Sequence, residues 1–403
     1  MVNLPLPHTN IKGLRKKRRV MISALLVIAT LFLFSGDSPV PINDHQPPHS
    51  LHSGKKHQVI PQLSGTELVQ RRIEQVAHRM EVPGVIAVAK RNGELFSYAA
   101  GEASIEDKKP IKTTHAFRIA SVTKTFVATV VLQLVEEQKL SLEDTVEEWL
   151  PGIVQGNGYD GNKITIRQLL NHTSGIPDYI TEDFYIKFHK DSFRTFMVEE
   201  LIQEALSAKP LFDPGTSWAY SNTNTLLVGQ IIEQVTEEPY RYQIKKRIID
   251  PLELACTSLP DQNFYIPCAH ARGYIHSAEQ LYDYTEHSPT WLNAAGEMIS
   301  TAEDLVIFYE ALLGGRLLKP EQLQEMLTTV ETPWNTNYGL GIEEFRLYDG
   351  PSVWGHGGST HGFTTAVRAS RNGRHVIAVN ANVSFDTGYV SFDGIIEAEM
   401  KRQ

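Results

Sequence analysis

The chain has 403 residues, 41% hydrophobic and 21% charged, the proportions of a globular protein of one large or two ordinary domains, which excludes a wholly disordered, collagenous or coiled-coil chain. Its net charge of −9 is unevenly spread: residues 1–36 carry six bases (Lys12, Arg15, Lys16, Lys17, Arg18, Arg19) and no acid, leaving 32 bases against 47 acids, a net of −15, in the remainder. A body that acidic repels phosphate backbones and excludes nucleic-acid partners.

The basic run precedes Val20 to Phe34, fifteen residues without a charge. This is the pattern of an export signal or a short signal-anchor over residues 1–36. At about 1.5 Å per residue the apolar run reaches about 22 Å, short of the ~30 Å hydrocarbon core. The flanking bases orient it with the body on the extracytoplasmic side, in the periplasm or outside the cell if the segment is cleaved. No clean A-x-A cleavage site follows, which tilts the reading towards an uncleaved anchor and membrane contact through this segment only. Residues 37–62, rich in Pro, His and Ser, read as an extended linker.

Ser64-Gly-Thr-Glu67 is a capping box, with Leu68, Ile73, Val76 and Met80 on one helical face after it. Two hairpins then share one recipe at opposite ends of the chain: GVIAVAK–RNG–ELFSYAA turning at Asn92-Gly93, and FTTAVRAS–RNG–RHVIAVNA turning at Asn372-Gly373. Asn-Gly supplies the positive φ angles of a tight turn. Since a lone hairpin is marginal in water, one antiparallel sheet assembled from both chain ends is the economical inference. A carboxy-terminal helix (Val390, Phe392, Ile395, Ile396, Met400) would cover one of its faces.

The middle reads as helical. Ser141-Leu-Glu-Asp and Thr165-Ile-Arg-Gln open helices, Thr223 to Val235 is a third, and Ser300-Thr-Ala-Glu303 is a capping box for a helix stopping at Gly314-Gly315. The expected class is α/β in the α+β sense: residues 63–140 and 325–403 build an α/β domain, 141–324 a mainly helical insertion, with the active site in the cleft between them. Cys256 and Cys268 cannot form a zinc site alone; they form either a disulfide or two inert thiols.

No G-x-S-x-G elbow, H-E-x-x-H or Walker A loop occurs, and no convincing metal cluster, so neither metal nor cofactor is expected. What does occur is Ser121-Val-Thr-Lys124, after Phe117-Arg-Ile-Ala120 and opening the apolar helix TFVATVVLQLV. A spacing of three sets the Lys124 amine beside the Ser121 hydroxyl. An amine in a dry, cationic pocket loses proton affinity and is able to take the Ser proton. A second S-x-x-K at Ser53 falls in the linker, so the motif alone is weak. Tyr220-Ser221-Asn222 adds a phenol whose pKa a neighbouring Lys would lower and an amide for a substrate carbonyl. His356-Gly357-Gly358-Ser359 places adjacent glycines on a strand, a sign of close approach by another backbone or a ligand.

In this order the three elements resemble the serine penicillin-recognising enzymes, and more narrowly the class C β-lactamase and D-alanyl-D-alanine carboxypeptidase group (β-lactamase/transpeptidase-like fold). LLNHTSGIPDY, GTSWAYSNTNTLLVG, AAGEMISTAEDL, NYGLGI and WGHGGSTHGF also fit. The resemblance implies Ser121 as the acylated nucleophile, with Lys124 and Tyr220 sharing the acid–base work and neither singled out as base. It implies Asn222 positioning the substrate amide, with His356 in the place of the third-motif Lys. Gly357, Gly358 and Ser359 would line the substrate, and the N–H groups of Ser121 and Ser359 would form the oxyanion hole.

Three departures bear on substrate, one of them that no counterpart of the class A deacylating Glu is evident. His356 replaces a Lys and carries full charge only below about pH 6.5 unless perturbed, so it would hold a carboxylate less well. Gly357 stands where the family has a Thr hydroxyl. Efficient lactamase activity is therefore disfavoured, although β-lactams remain candidate covalent inhibitors. The first expectation is an exported D-alanyl-D-alanine carboxypeptidase acting on cell-wall-type peptides. The alternatives are an esterase or D-aminopeptidase of the same fold and, in a non-enzyme class, a vestigial penicillin-binding sensor.

Overall fold

A computed structural model of the chain describes residues 64–402 except positions 80, 278–279, 335, 349 and 387–389. The signal or anchor, the linker and Met80 lie outside the described residues. Among those described, no helix is long and apolar enough to cross a membrane.

Helix α1 (Gly65–Arg79) opens on the expected capping box, with the Glu67 N–H donating to Ser64 Oγ and the Ser64 N–H to Glu67 Oε2. Strands β1 (Gly84–Arg91), β2 (Glu94–Ser104) and β3 (Lys109–Pro110) follow, then α2 (Thr123–Glu136). The middle of the chain carries α3 (Val146–Trp149), α4 (Ile166–Leu170), α5 (Glu182–Lys190), α6 (Val198–Leu206), α7 (Asn222–Thr236), α8 (Tyr240–Ile244), α9 (Ala302–Leu313) and α10 (Pro320–Met326). Strands β4 (Val330–Glu331), β5 (Asn337–Tyr338), β6 (Glu343–Arg346), β7 (Ser352–Thr360), β8 (Phe363–Ala369) and β9 (His375–Ala381) and helix α11 (Asp393–Met400) complete it.

These strands form one nine-stranded antiparallel sheet in the order β4-β5-β6-β7-β8-β9-β1-β2-β3. The two ends of the chain meet where β1 pairs with β9, Val88 opposite Ala378. Alternation along β1 separates two cores. Val85, Ala87 and Ala89 join Val69, Ile73, Ile395 and Ile396 of α1 and α11, whereas Ile86 and Val88 join Phe126, Val130 and Phe308 of α2 and α9. A strand buried on both faces reads as the near-continuous apolar run seen in the sequence.

Three local expectations are corrected. Only the first hairpin turns tightly with both residues at positive φ (Asn92 +51°, Gly93 +87°); in the second, residues 370–374 form a longer loop in which Gly373 is left-handed and Asn372 is not. A Cβ at Gly373 would lie 2.8 Å from the Glu310 carbonyl oxygen, so packing on α9 fixes that loop. Ser141 opens a turn, its N–H donating to Asp144 Oδ2; the helix begins after Thr145, which makes the box with Glu148. The cap of α9 is Thr301, receiving the Asp304 N–H, because Ser300 is buried beside Thr257. Cys256 and Cys268 are joined as a disulfide.

Candidate active site

Ser121 lies in a single 3-10 turn, residues 120–122, just before α2. Ala120 ahead of it has φ +48°, a left-handed backbone that a non-glycine residue holds only when its surroundings impose it. The surroundings are tight: a Cβ on Gly358 of β7 would lie 2.2 Å from the Ile119 carbonyl oxygen and 3.1 Å from the Ser121 nitrogen. Gly358 therefore brings the β7 backbone against the Ser121 turn, the close approach its composition suggests. Gly357 is different, since a Cβ there would have only the Thr365 carbonyl, 3.9 Å away, within 4 Å. Ser359 follows and is exposed.

Lys124, 2% exposed, donates to Ser121 Oγ at 3.2 Å, to Asn222 Oδ1 at 2.7 Å and to the Ala295 carbonyl at 2.7 Å. Burial pushes its amine down to about 7, against the upward pull of Asp178 and Glu343. Near neutrality the amine is thus divided between a donor-only form and a form with a free lone pair.

Tyr220 sits in the loop before α7, hydrogen-bonded to Ser121, with Lys124 Nζ 5.0 Å from its ring centroid. The expected lowering of its phenol is reversed. Burial raises it well above its ordinary value, Glu343 and Asp178 add to the rise, and the Ser121 hydrogen bond only partly offsets them. The reversal follows from depth: desolvation disfavours the phenolate. The ring leans on His172 at 4.4 Å between centroids. His172, itself at φ +63°, accepts the Ser221 N–H on Nδ1 and so fixes the segment that carries both Tyr220 and Asn222.

Asn222 opens α7 already engaged on both sides. Its Oδ1 accepts from Lys124, and its Nδ2 and backbone N–H donate to Asp178 Oδ2 at 2.7 and 3.2 Å. Asp178 was not singled out from the sequence, although SGIPDY was among the segments carrying the resemblance.

His356 on β7 is buried, 2% exposed, and burial pushes its imidazole down to about 3. Nδ1 donates to the Gly357 carbonyl, and Nε2 accepts from the Tyr338 hydroxyl at 2.9 Å. The residue expected to carry part of a Lys's charge is a neutral ring with both nitrogens engaged. Glu343 Oε1 lies 3.7 Å from Nε2. Glu343 and Tyr338, on β6 and β5, were likewise missed; the NYGLGI segment that delivers them is anchored on α2 by Gly341, where a Cβ would lie 2.8 Å from the Lys124 carbonyl oxygen. The fold thus gathers Ser121, Lys124, Tyr220, Asn222, His356, Gly357, Gly358 and Ser359 around one centre. Among the described residues no group of three or more His, Cys, Asp or Glu has the geometry to hold a metal ion.

A buried amine that sheds its proton near neutrality beside a serine hydroxyl, a protonated phenol bonded to that hydroxyl, and a strand packed against the serine N–H make an arrangement suited to acyl transfer. A model of the Beta-lactamase family matches residues 69–399. Penicillin-binding protein 4* of Bacillus subtilis is 28% identical over 337 residues, 80% of this chain and 72% of that protein. Protein flp of Staphylococcus aureus is 27% identical, and the match covers 77% of this chain but only 62% of flp. Among solved structures, a D-stereospecific amidohydrolase from Streptomyces sp. superposes with a TM-score of 0.77 at 39% identity, covering 83% of this chain and 98% of that one. The D-amino acid amidase of Ochrobactrum anthropi, in complex with L-phenylalanine amide, gives 0.74 at 28% identity with the same coverage.

Proposed function

The chain belongs to the beta-lactamase family and is a serine hydrolase, and from that premise we propose that it hydrolyses amides of D-amino acids through an acyl-enzyme on Ser121. The observation that carries this reading is the state of His356. A carboxypeptidase must hold the carboxylate of its leaving residue, and the third-motif position here offers neither a charge nor a free ring nitrogen. A substrate whose leaving group is ammonia or an uncharged amine has no such need. The names of the Streptomyces and Ochrobactrum proteins support the same substrate class. This favours the D-aminopeptidase alternative over the carboxypeptidase.

In this mechanism Ser121 Oγ attacks the amide carbonyl while neutral Lys124 takes its proton. The carbonyl oxygen, now negative, is held by the N–H groups of Ser121 and Ser359, each such donor typically contributing about 3 kcal/mol. Tyr220 returns a proton to the departing nitrogen as the C–N bond breaks, and Lys124 re-protonates it. Asn222, held between Lys124 and Asp178, keeps the amine aimed at Ser121. Water then attacks the ester carbonyl and gives its proton to Lys124, which is neutral again, and Lys124 passes that proton to Ser121 Oγ as the ester C–O bond breaks.

The basic run and apolar segment of residues 12–34 support export, with the body on the extracytoplasmic side; protease accessibility of intact cells or spheroplasts tests this. The activity itself is tested by turnover of D- and L-amino acid amides beside a peptide ending in D-Ala-D-Ala, with mass spectrometry of Ser121 after a fluorophosphonate or a fluorescent penicillin. Turnover of the D-amides is expected to exceed that of the other two. Faster release of D-alanine from the peptide would return the carboxypeptidase reading, and no adduct on Ser121 with either probe would leave only a vestigial sensor.

A further inference from the structure

Trp218 and Trp334 come from two segments far apart in the chain, the loop before α7 and the turn between β4 and β5, and their rings meet edge to face with centroids 4.7 Å apart. Both rings border the phenol that serves Ser121: the Tyr220 centroid lies 6.5 Å from Trp218 and 6.2 Å from Trp334. Tyr338, whose hydroxyl closes His356, completes the set at 5.9 Å from Trp218 and 6.2 Å from Tyr220. Tyr338 is buried, whereas Trp218, Tyr220 and Trp334 are all partly exposed. The part of this set that meets solvent is therefore two indoles beside the catalytic phenol.

Both indoles are presented on backbone that is already fixed. Thr332 closes the β4–β5 turn, its N–H donating to the Thr336 carbonyl at 3.2 Å and its Oγ1 accepting the Trp334 N–H at 3.2 Å. Ahead of Tyr220, the Gly215 N–H donates to the Thr173 carbonyl at 2.8 Å and the Ala219 N–H to the His172 carbonyl at 3.1 Å. A surface held in this way loses little conformational freedom when it is occupied. Rings left partly in water forgo some of the stabilisation of burial, and a planar occupant would recover it.

The place and the chemistry of the set define that occupant. Tyr220 protonates the departing nitrogen in the mechanism above, so the group that this nitrogen carries lies beside Tyr220 and its ring neighbours. These neighbours offer no charge to a carboxylate. His356 is neutral with both ring nitrogens engaged, and burial holds the Tyr220 and Tyr338 phenols in the protonated form. Lys124, with Nζ 5.0 Å from the Tyr220 centroid, is committed to Ser121, Asn222 and the Ala295 carbonyl. Ammonia would leave the indoles unused, whereas an aromatic ring can meet them edge to face, as they meet each other.

We propose that Trp218 and Trp334 form the leaving-group subsite of this enzyme, and that it takes an uncharged amine carrying an aromatic ring. The proposal rests on the reading of Tyr220 as the acid that serves the leaving nitrogen. In the step concerned, Ser121 Oγ bonds the carbonyl carbon, the C–N bond breaks, Tyr220 gives its proton to the nitrogen and the amine departs neutral. Water then replaces Ser121 on the carbon and releases the D-amino acid.

D-Alanine amide and D-alanine benzylamide test this. Ammonia and benzylamine are of nearly equal basicity, so the two substrates differ in the group that meets the indoles and not in the difficulty of expelling it. For wild type, kcat/KM for the benzylamide is expected to exceed that for the amide by about tenfold. That ratio should fall by about fivefold in W218A and in W334A, and W334F, which keeps a ring, should retain most of it. A purely structural role would lower both substrates together and leave the ratio unchanged. A benzylamide no better than the amide, or a ratio unmoved in both alanine variants, overturns the proposal. Should W218A not fold, W334A decides, since its side chain sits on a surface turn. If wild type turns over neither D-amide, the proposed substrate class fails, and the subsite is read instead by protection of Ser121 from a fluorophosphonate. N-benzylacetamide should then protect wild type at about a tenth of the concentration that N-methylacetamide needs, and W334A should lose this advantage. Equal concentrations in wild type would overturn the subsite as well.

Discussion

The Tyr338 hydroxyl donates to His356 Nε2 at 2.9 Å, and this bond, with the one from Nδ1 to the Gly357 carbonyl, closes His356 to any substrate. The consequence for stability has a definite sign. His356 is lowered to about 3 and His189 to about 4, and His172, His287 and His361 fall well below their ordinary value, burial being the leading cause each time. Below about pH 6.5 the unfolded chain binds protons at these rings and the folded chain does not, so folding loses free energy as pH falls. The melting temperature is expected to drop steadily from pH 6.5 to pH 4. A flat profile over that window would contradict the burial of these imidazoles as neutral groups.

Lys124 tests the base assignment. Lys124→Arg keeps a donor beside Ser121 and Asn222 but cannot shed its proton near neutral pH. Turnover and Ser121 labelling should both fall by at least about a thousandfold, the upper range for loss of a positioned base. Survival of labelling within tenfold of wild type would transfer the base role to Tyr220.

The adjacent glycines of β7 are predicted to differ. Gly358→Ala drives a methyl towards the Ile119 carbonyl oxygen and the Ser121 nitrogen, at 2.2 and 3.1 Å, so either the strand or the nucleophile turn must shift. A loss of about 1–3 kcal/mol of stability and a fall in kcat are expected. Gly357→Ala has its nearest neighbour at 3.9 Å and should keep stability within about 0.5 kcal/mol. Equal effects of the two substitutions, read by thermal melts and turnover, would mean that β7 does not abut Ser121 in this way.

What was legible in the sequence is what is local. The Ser64–Glu67 box, the Asn92-Gly93 turn and the three-residue step from Ser121 to Lys124 depend on neighbours in the chain, and the sheet built from both ends follows from strands that need partners. The failures are tertiary. Ser300 and Thr301 are both able to cap α9, and only the burial of Ser300 against Thr257 assigns the cap to Thr301. The phenol of Tyr220 moves the wrong way because burial, invisible in sequence, raises it and the Ser121 hydrogen bond only partly offsets the rise. Asp178, Tyr338 and Glu343 have no role that their spacing alone would reveal; they matter because the loop between α4 and α5 and the β5–β6 hairpin bring them to Asn222 and His356.

Asp178 offers the last prediction, because its carboxylate accepts the N–H of Ile180 on one oxygen and both N–H donors of Asn222 on the other. In Asp178→Asn one of those positions becomes an NH2 facing an N–H, a buried clash of donors. The cost is expected at about 1–3 kcal/mol, measured by denaturant unfolding. The Asn222 amide then loses its fixed orientation, so kcat should fall more than KM rises for a D-amino acid amide. Asp178 is also the largest influence holding the proton on Lys124, so the acid limb of the rate profile should move to lower pH in the same variant. A variant that loses stability yet keeps both kcat and the limb unchanged would confine Asp178 to the scaffold.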